Sequence, residues 1–125
     1  MFDRVKLAFL LRLSAWLVRR GARRSVRLAE MLAEEDFTMQ VRTEGGAGGH
    51  FQLRDGSFRF IGRLHDAPDF EQVWRSPADA VRVMTSPDES AMNRAFHDRL
   101  CRMSGRFVIA LWFNEATKIA IRPAA

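Results

Sequence analysis

The sequence predicts an α+β fold in which an antiparallel, mostly hairpin-linked sheet of about five strands carries helices on one face. Three observations lead to this prediction. Residues 4–34 show the apolar spacing of helices. A hairpin with the two-residue turn Asp55-Gly56 lies in the middle of the chain. Apolar strand patterns then flank a further helical segment, residues 86–104.

Length and charge divide the chain into two parts. Its 125 residues suffice for one compact unit. Residues 1–29 carry eight basic residues and one acidic residue, whereas the other 96 residues carry 12 basic and 14 acidic ones. We therefore predict a basic amphipathic helical segment over residues 1–36 and an α+β domain over residues 37–125. A basic segment on a nearly neutral body favours an anionic surface or an acidic partner.

The first helical segment has two faces. One face is an apolar stripe, and Gly21 is expected to divide the segment into two helices. The other face carries arginines, yet Phe9, Leu13 and Trp16 lie among them. The apolar stripe consists of Leu7, Leu10, Leu11, Ser14, Leu17, Val18, Gly21, Ser25, Leu28, Ala29 and Leu32.

The first strands are predicted from alternation and from one turn. Residues 37–44 alternate apolar and polar side chains, as expected of a strand with one buried face. Residues 70–74 fit either a strand or one helical turn. The two-residue turn sets the register of the hairpin, which pairs Leu53 with Phe58 and Phe51 with Phe60.

The next segment is predicted to change from strand to helix. A period of two in the apolar residues predicts a strand over residues 81–86. Ser86, Pro87 and Glu89 then have the residue types and spacing of a helix start, because a hydroxyl caps the first turn and proline suits its first position. Gly105 is expected to end this helix.

The last part of the chain is predicted to be extended. Residues 106–113 form a nearly continuous apolar run, which is typical of a buried strand. Residues 114–117 have the composition of a turn. Residues 118–122 are predicted to form a last strand, which Pro123 ends.

Three short motifs lie in the predicted domain. They are Phe-Gln-Leu-Arg-Asp-Gly at residues 51–56, Ala-Asp-Ala-Val-Arg-Val at residues 78–83, and Gly-Arg-Phe-Val-Ile at residues 105–109. With the helix start after the second motif, residues 37–113 resemble the sterol carrier protein family. The resemblance implies a domain that binds lipids or other apolar ligands, and it allows a link to ubiquinone or other isoprenoid lipids. The chain departs from the family where Ala110-Leu111 replaces Gly-Asp and a strand-like tail replaces the usual C-terminal helix.

Bulky, deformable side chains are frequent for a domain of this size. Methionine and phenylalanine suit an adaptable apolar pocket, so we expect the apolar sheet face and the helix over residues 86–104 to enclose a ligand. The same residues can also form a solid core, and periodicity alone does not separate the two. The candidate pocket residues are Phe51, Phe58, Phe60, Trp74, Met84, Met92, Phe96, Met103, Phe107 and Trp112.

The basic helix is the second candidate site. Apolar groups flanked by arginines are typical of a helix that lies on an anionic bilayer, with its tryptophan at the headgroup level. The alternatives are a helix packed on the sheet with a solvated arginine face, and the seam of a homodimer or of a complex with another protein. The candidate membrane- or partner-binding residues are Phe9, Arg12, Leu13, Trp16, Arg19, Arg20 and Arg23.

Other functions have little sequence support. His97 and Cys101 lie four apart on the predicted helix, but a zinc site needs three or four ligands, so no metal or other cofactor is predicted. No nucleophile motif is present, so no enzymatic activity is predicted. The basic segment lacks an RNA-binding aromatic motif, which disfavours nucleic acid as a partner.

The sequence therefore predicts a non-catalytic domain that binds, transfers or presents a lipid or isoprenoid-like apolar ligand, with a basic helix for docking. The single cysteine and the lack of a secretory signal predict a cytoplasmic protein, including the inner face of the membrane. The alternative is a structural or interaction protein with a filled core that acts through its N-terminal helix.

Overall fold

Five helices and five strands make up the structure, a computed structural model that describes residues 2–122. In chain order the elements are α1 (Phe2–Ala22), α2 (Val26–Glu34), β1 (Phe37–Thr43), β2 (Gly48–Arg54), β3 (Ser57–Ile61), β4 (Phe70–Trp74), α3 (Pro77–Met84), α4 (Ala91–His97), β5 (Cys101–Gly105) and α5 (Val108–Ile121).

The strands form one mixed sheet in the order β3-β2-β1-β4-β5. The pair β1 and β4 is parallel, and the other three pairs are antiparallel. The α+β prediction with about five strands is thus confirmed. The hairpin register is confirmed as well, since Leu53 pairs with Phe58 and Phe51 pairs with Phe60.

The two faces of the sheet differ in polarity. Met39, Phe51 and Phe58 lie on the inner face within the buried core, where the helices gather. On the outer face, Glu71 accepts hydrogen bonds from the Gln40 Nε2 at 2.7 Å and from the Arg42 Nε at 3.0 Å. Because these polar groups satisfy one another, the outer face needs no covering helix.

Helix α1 packs along the body of the domain. Its side chains Leu7, Leu11 and Val18 are buried in the same core as the sheet residues. Gly21 allows the close approach of α5, because a Cβ at this position would lie only 3.0 Å from the Ala120 Cα. The predicted division into two helices near Gly21 is confirmed, since α1 ends one residue later.

The predicted strand over residues 81–86 is wrong, because residues 81–84 belong to α3 and residues 85–86 follow the end of this helix. Ser76 caps the helix by accepting a hydrogen bond from the Asp79 N–H at 3.2 Å, and Pro77 occupies the first turn. Ala80 and Val83 supply the buried face at a spacing of three residues. The chain contains two Ser-Pro helix-start signals, and the earlier one decides the structure of this segment.

The helix predicted over residues 86–104 is much shorter in the structure. Helix α4 covers Ala91–His97 only. Arg99 adopts a positive φ of 63°, and the Leu100 N–H donates to the Ala95 carbonyl at 2.8 Å, which closes the helix end. Cys101 to Gly105 then form β5, so Gly105 ends a strand and not a helix.

The two strands predicted over residues 106–113 and 118–122 are also wrong. Helix α5 replaces both of them and the turn between them. Ile109 and Ala116 are buried, with Trp112 and Phe113 packed against the same core, which is the spacing of a helix face. The expected strand-like tail is therefore a helix, and Pro123 lies outside the described residues.

Candidate functional site

A cavity of about 660 Å³ lies between the inner face of the sheet and the helices. Its floor is formed by the central and edge strands, through Met39, Val41, Gln72 and Met103. Helices α1, α3, α4 and α5 supply its walls. A second hollow of about 130 Å³ between α3 and α4 is lined by charged side chains such as Arg82 and Asp98.

The cavity opens beside large exposed apolar side chains. Phe96, Phe107, Leu111 and Ile121 line the cavity and are each about half exposed or more. They come from the end of α4, from the start and end of α5, and from the residue before α5. Side chains that are both exposed and cavity-lining mark the mouth, so an apolar molecule would meet these four apolar side chains on entry.

The charged lining residues are Asp88 and Glu89, and both are exposed at the rim. The backbone N–H of Ser90, the hydroxyl of Ser90 and the guanidinium of Arg94 lower the pKa of Asp88 to about 2. The Asp88 carboxylate is therefore ionised at neutral pH and already paired. The deeper lining carries no charge of its own, which suits a neutral apolar occupant.

The predicted pocket residues separate into two groups. Five of them do not line the cavity and pack in the core or beside it, where the Phe51 and Phe58 rings stack with centroids 5.3 Å apart. Trp112 belongs to this group, and its indole N–H donates to the Met31 carbonyl at 3.2 Å. The core group is Phe51, Phe58, Phe60, Trp74 and Trp112, and the cavity group is Met84, Met92, Phe96, Met103 and Phe107.

Most of the cavity lining was missed by the sequence prediction. Four of the missed residues lie on α1, and they carried a sequence signal, because all four belong to the predicted apolar stripe of the first helix. The α5 residues recur at helical spacing, but they were interpreted as strands. The missed residues from these helices are Leu10, Leu11, Ser14, Leu17, Ala110, Leu111, Phe113, Asn114, Thr117, Ala120 and Ile121.

The predicted docking residues of α1 lie away from the cavity. Phe9 is 63% exposed and Trp16 is 48% exposed, and Phe2 and Val5 extend the same helix face. We call Phe2, Val5, Phe9 and Trp16, with their neighbours Arg12, Arg19 and Arg20, the α1 outer face.

The arginines of the α1 outer face are held in place. Arg12 lies 5.4 Å from the Phe60 ring centroid, Arg19 donates to the Phe58 carbonyl at 3.1 Å, and Arg20 lies 5.4 Å from the Trp16 ring centroid. Leu13 is half-buried, and Arg23 follows the end of the helix. The structure thus brings six of the seven predicted docking residues onto α1.

Metal ligands do not converge in the part of the chain that the structure describes. No group of three His, Cys, Asp or Glu side chains there could hold an ion. His97 ends α4 and is exposed, whereas Cys101 begins β5 and is buried, so the two do not share a helix as predicted. Burial raises the pKa of Cys101 to about 12, which keeps its thiol protonated.

Within residues 2–122, every helix is too short or too polar to cross a bilayer.

Solved structures with the same arrangement include sterol carrier protein 2 domains. A structure described as the UbiJ-SCP2 ubiquinone synthesis protein gives a TM-score of 0.61 at 11% identity, over 94% of each chain. Sterol carrier protein domain 2 of Helicoverpa armigera gives 0.57 at 15% identity, over 90% of this chain and 89% of its own. Apo sterol carrier protein 2 from Yarrowia lipolytica gives 0.50 at 13% identity, over 86% and 88%.

These comparisons define the class of fold. No family model and no curated protein matches the sequence. The chain nevertheless has the sterol carrier protein 2 fold over most of its length, so the predicted resemblance is confirmed at the level of the fold.

Proposed function

We propose that this domain binds a lipid or isoprenoid-like apolar molecule in its cavity and carries or presents it without changing it chemically. The observation that carries the proposal is the apolar cavity of about 660 Å³ between the sheet and four helices. This volume lies within the range of about 300–1,000 Å³ that is common for ligand sites. Binding would draw on the removal of hydrocarbon from water, roughly 25 cal/mol per Å² of apolar surface.

Two further observations support a binding function. Structural neighbours include sterol carrier protein 2 domains, one of which is described as a ubiquinone synthesis protein. The cavity residues that the structure describes include no histidine, cysteine or lysine that could serve as base or nucleophile. A site that carries no charge in its depth, and charged side chains only at its rim, is suited to holding a neutral molecule.

Native mass spectrometry of the purified protein, followed by organic extraction of the bound material, tests this function. We expect a lipid or quinone at near-stoichiometric amount. An apo mass, combined with no thermal shift from added fatty acids, sterols or quinones, would contradict ligand binding. That result would favour the alternative of an interaction protein acting through α1.

The α1 outer face is the proposed docking surface, and its proposed occupant is an anionic membrane at the cytoplasmic side. Phe2, Val5, Phe9 and Trp16 recur at helical spacing, face away from the core and lie beside fixed arginines. Apolar groups at this spacing can enter the headgroup region while the guanidiniums contact lipid phosphates. Docking would place the carrier beside the bilayer from which a lipid is taken.

Replacing both Phe9 and Trp16 with serine is expected to reduce binding to vesicles of phosphatidylglycerol and phosphatidylcholine by roughly tenfold or more, because two interfacial anchors are lost. Co-sedimentation measures this binding. The matched control is Val26→Ser, since Val26 is 78% exposed on α2, outside the proposed surface. Equal vesicle binding by both variants would contradict membrane docking, and a loss of dimers in the double variant would indicate a seam between two copies.

A further inference from the structure

Gln72 is a polar side chain on the apolar inner face of the sheet. Its neighbours across the strands are Val41 on β1 and Met103 on β5, and all three residues line the cavity. Gln72 is only 6% exposed. An amide at this depth needs hydrogen-bond partners, because its desolvation is otherwise uncompensated.

The orientation of the Gln72 amide follows from its neighbour Trp74. The Trp74 indole nitrogen lies 3.3 Å from the Gln72 Oε1 and donates to it. An indole N–H can only donate, so the amide oxygen must face Trp74 and the amide nitrogen must point away. The hydrogen-bond chemistry therefore fixes which end of the amide remains for other contacts.

The amide nitrogen of Gln72 has no hydrogen-bond partner among residues 2–122. Every fully enclosed polar side-chain atom in the same residues does have a partner. The nitrogen is therefore not fully enclosed, and the open volume that Gln72 lines on this face is the cavity. Two N–H donors thus lie at the floor of a largely apolar site.

The other polar groups of the lining differ from Gln72. The Ser14 hydroxyl donates to the Leu10 carbonyl at 2.8 Å, and the Thr117 hydroxyl donates to the Phe113 carbonyl at 3.0 Å. Asn93 and Asn114 are exposed and lie at the rim. Among the described lining residues, Gln72 is therefore the deep donor that a bound molecule can use.

We propose that Gln72 donates a hydrogen bond to a neutral oxygen acceptor on the ligand, such as a ketone, quinone or ester carbonyl. The proposal rests on the binding function above and names the ligand class that the cavity selects. A neutral acceptor fits better than a carboxylate or phosphate, because no lysine or arginine lines the described cavity and the rim carries Asp88 and Glu89. The carbonyl would lie at the floor, and the hydrocarbon would extend towards the mouth.

The test compares 2-undecanone with dodecane, two probes with the same number of non-hydrogen atoms. Trp74→Phe keeps the Gln72 donor and serves as the control variant. Adding Gln72→Met to it removes the donor without leaving an indole N–H unpaired, since both partners are then apolar. We expect the second substitution to weaken 2-undecanone binding by about five- to tenfold and to leave dodecane binding unchanged, as measured by displacement of the uncharged fluorescent hydrocarbon diphenylhexatriene.

A second measurement uses the unsubstituted protein. The infrared carbonyl band of bound 2-undecanone should lie at lower frequency than in liquid dodecane, because a hydrogen bond weakens the carbonyl bond. The role of Gln72 would be overturned if the ratio of 2-undecanone affinity to dodecane affinity were the same in the two variants, or if the carbonyl band were not shifted. Either result would leave the binding function intact. Failure of the unsubstituted protein to bind either probe would overturn both the role of Gln72 and the proposed binding function.

Discussion

Replacing Ala110 with phenylalanine is expected to reduce the affinity for the uncharged fluorescent hydrocarbon diphenylhexatriene by roughly tenfold or more, which corresponds to about 1.4 kcal/mol or more. Ala110 lies on α5, is half-buried and lines the cavity. A phenyl group at this position would occupy volume that a ligand needs. A titration followed by fluorescence measures the loss, and circular dichroism verifies that the helices are retained.

Ala29→Phe is the matched control for this variant. Ala29 is exposed on α2 and is not among the cavity-lining residues, so the same side chain is added without filling the site. We expect its affinity to stay close to that of the unsubstituted protein. Equal affinities for Ala110→Phe and Ala29→Phe, with both proteins folded, would show that the ligand binds elsewhere.

The second large effect is expected for Gly105→Ala, which should lower the free energy of unfolding by roughly 2–5 kcal/mol. Gly105 ends β5 with a φ of +100°, a conformation that side chains with a Cβ rarely adopt. A Cβ there would also overlap the Asp69 carbonyl oxygen and lie 3.0 Å from the Phe70 Cα. Urea denaturation followed by circular dichroism measures the change.

Gly56→Ala separates the two causes of this destabilisation. Gly56 has a φ of +78°, but no atom would lie within 4 Å of an added Cβ. The variant should therefore lose only the backbone contribution, about 1–2 kcal/mol. A loss as large as that of Gly105→Ala would mean that contact with β4 contributes little at position 105.

The central hairpin was predictable because a local rule fixes it. A two-residue turn leaves one register for its strands, and Asp55 and Gly56 both adopt the positive φ that such turns require. The side chains of the hairpin then follow without reference to the rest of the molecule. The apolar stripe of α1 was predictable for a similar reason, since it continues over several helical turns.

The segments that were predicted wrongly are short or apolar throughout. The six residues 81–86 alternate apolar and polar side chains, a pattern that fits a strand but also fits a short helix with one buried face. Only the helix cap at Ser76 distinguishes the helix from the strand. In residues 106–113 apolar side chains are so frequent that no period stands out. Helix α5 is therefore decided by tertiary contacts, in which Ile109 and Ala116 face the core.

The site was harder to predict than the fold. Periodicity indicates which face of an element is apolar, but it does not indicate how deep the face lies or where packing leaves a gap. Phe58 and Met103 both lie on the inner face of the sheet, yet Phe58 is packed among aromatic rings and Met103 borders the cavity. Gln72 gave no sequence signal, because a lone glutamine in a strand usually faces water.

The contact between Gly21 and Ala120 has a consequence for how the protein is made. Helix α1 leaves the ribosome before α5, against which it packs, has been synthesised. Until then, apolar side chains such as Leu11 and Val18 lack part of their cover. The cavity also lacks one wall during this time, so the nascent domain is more open to apolar molecules and to chaperones than the finished one.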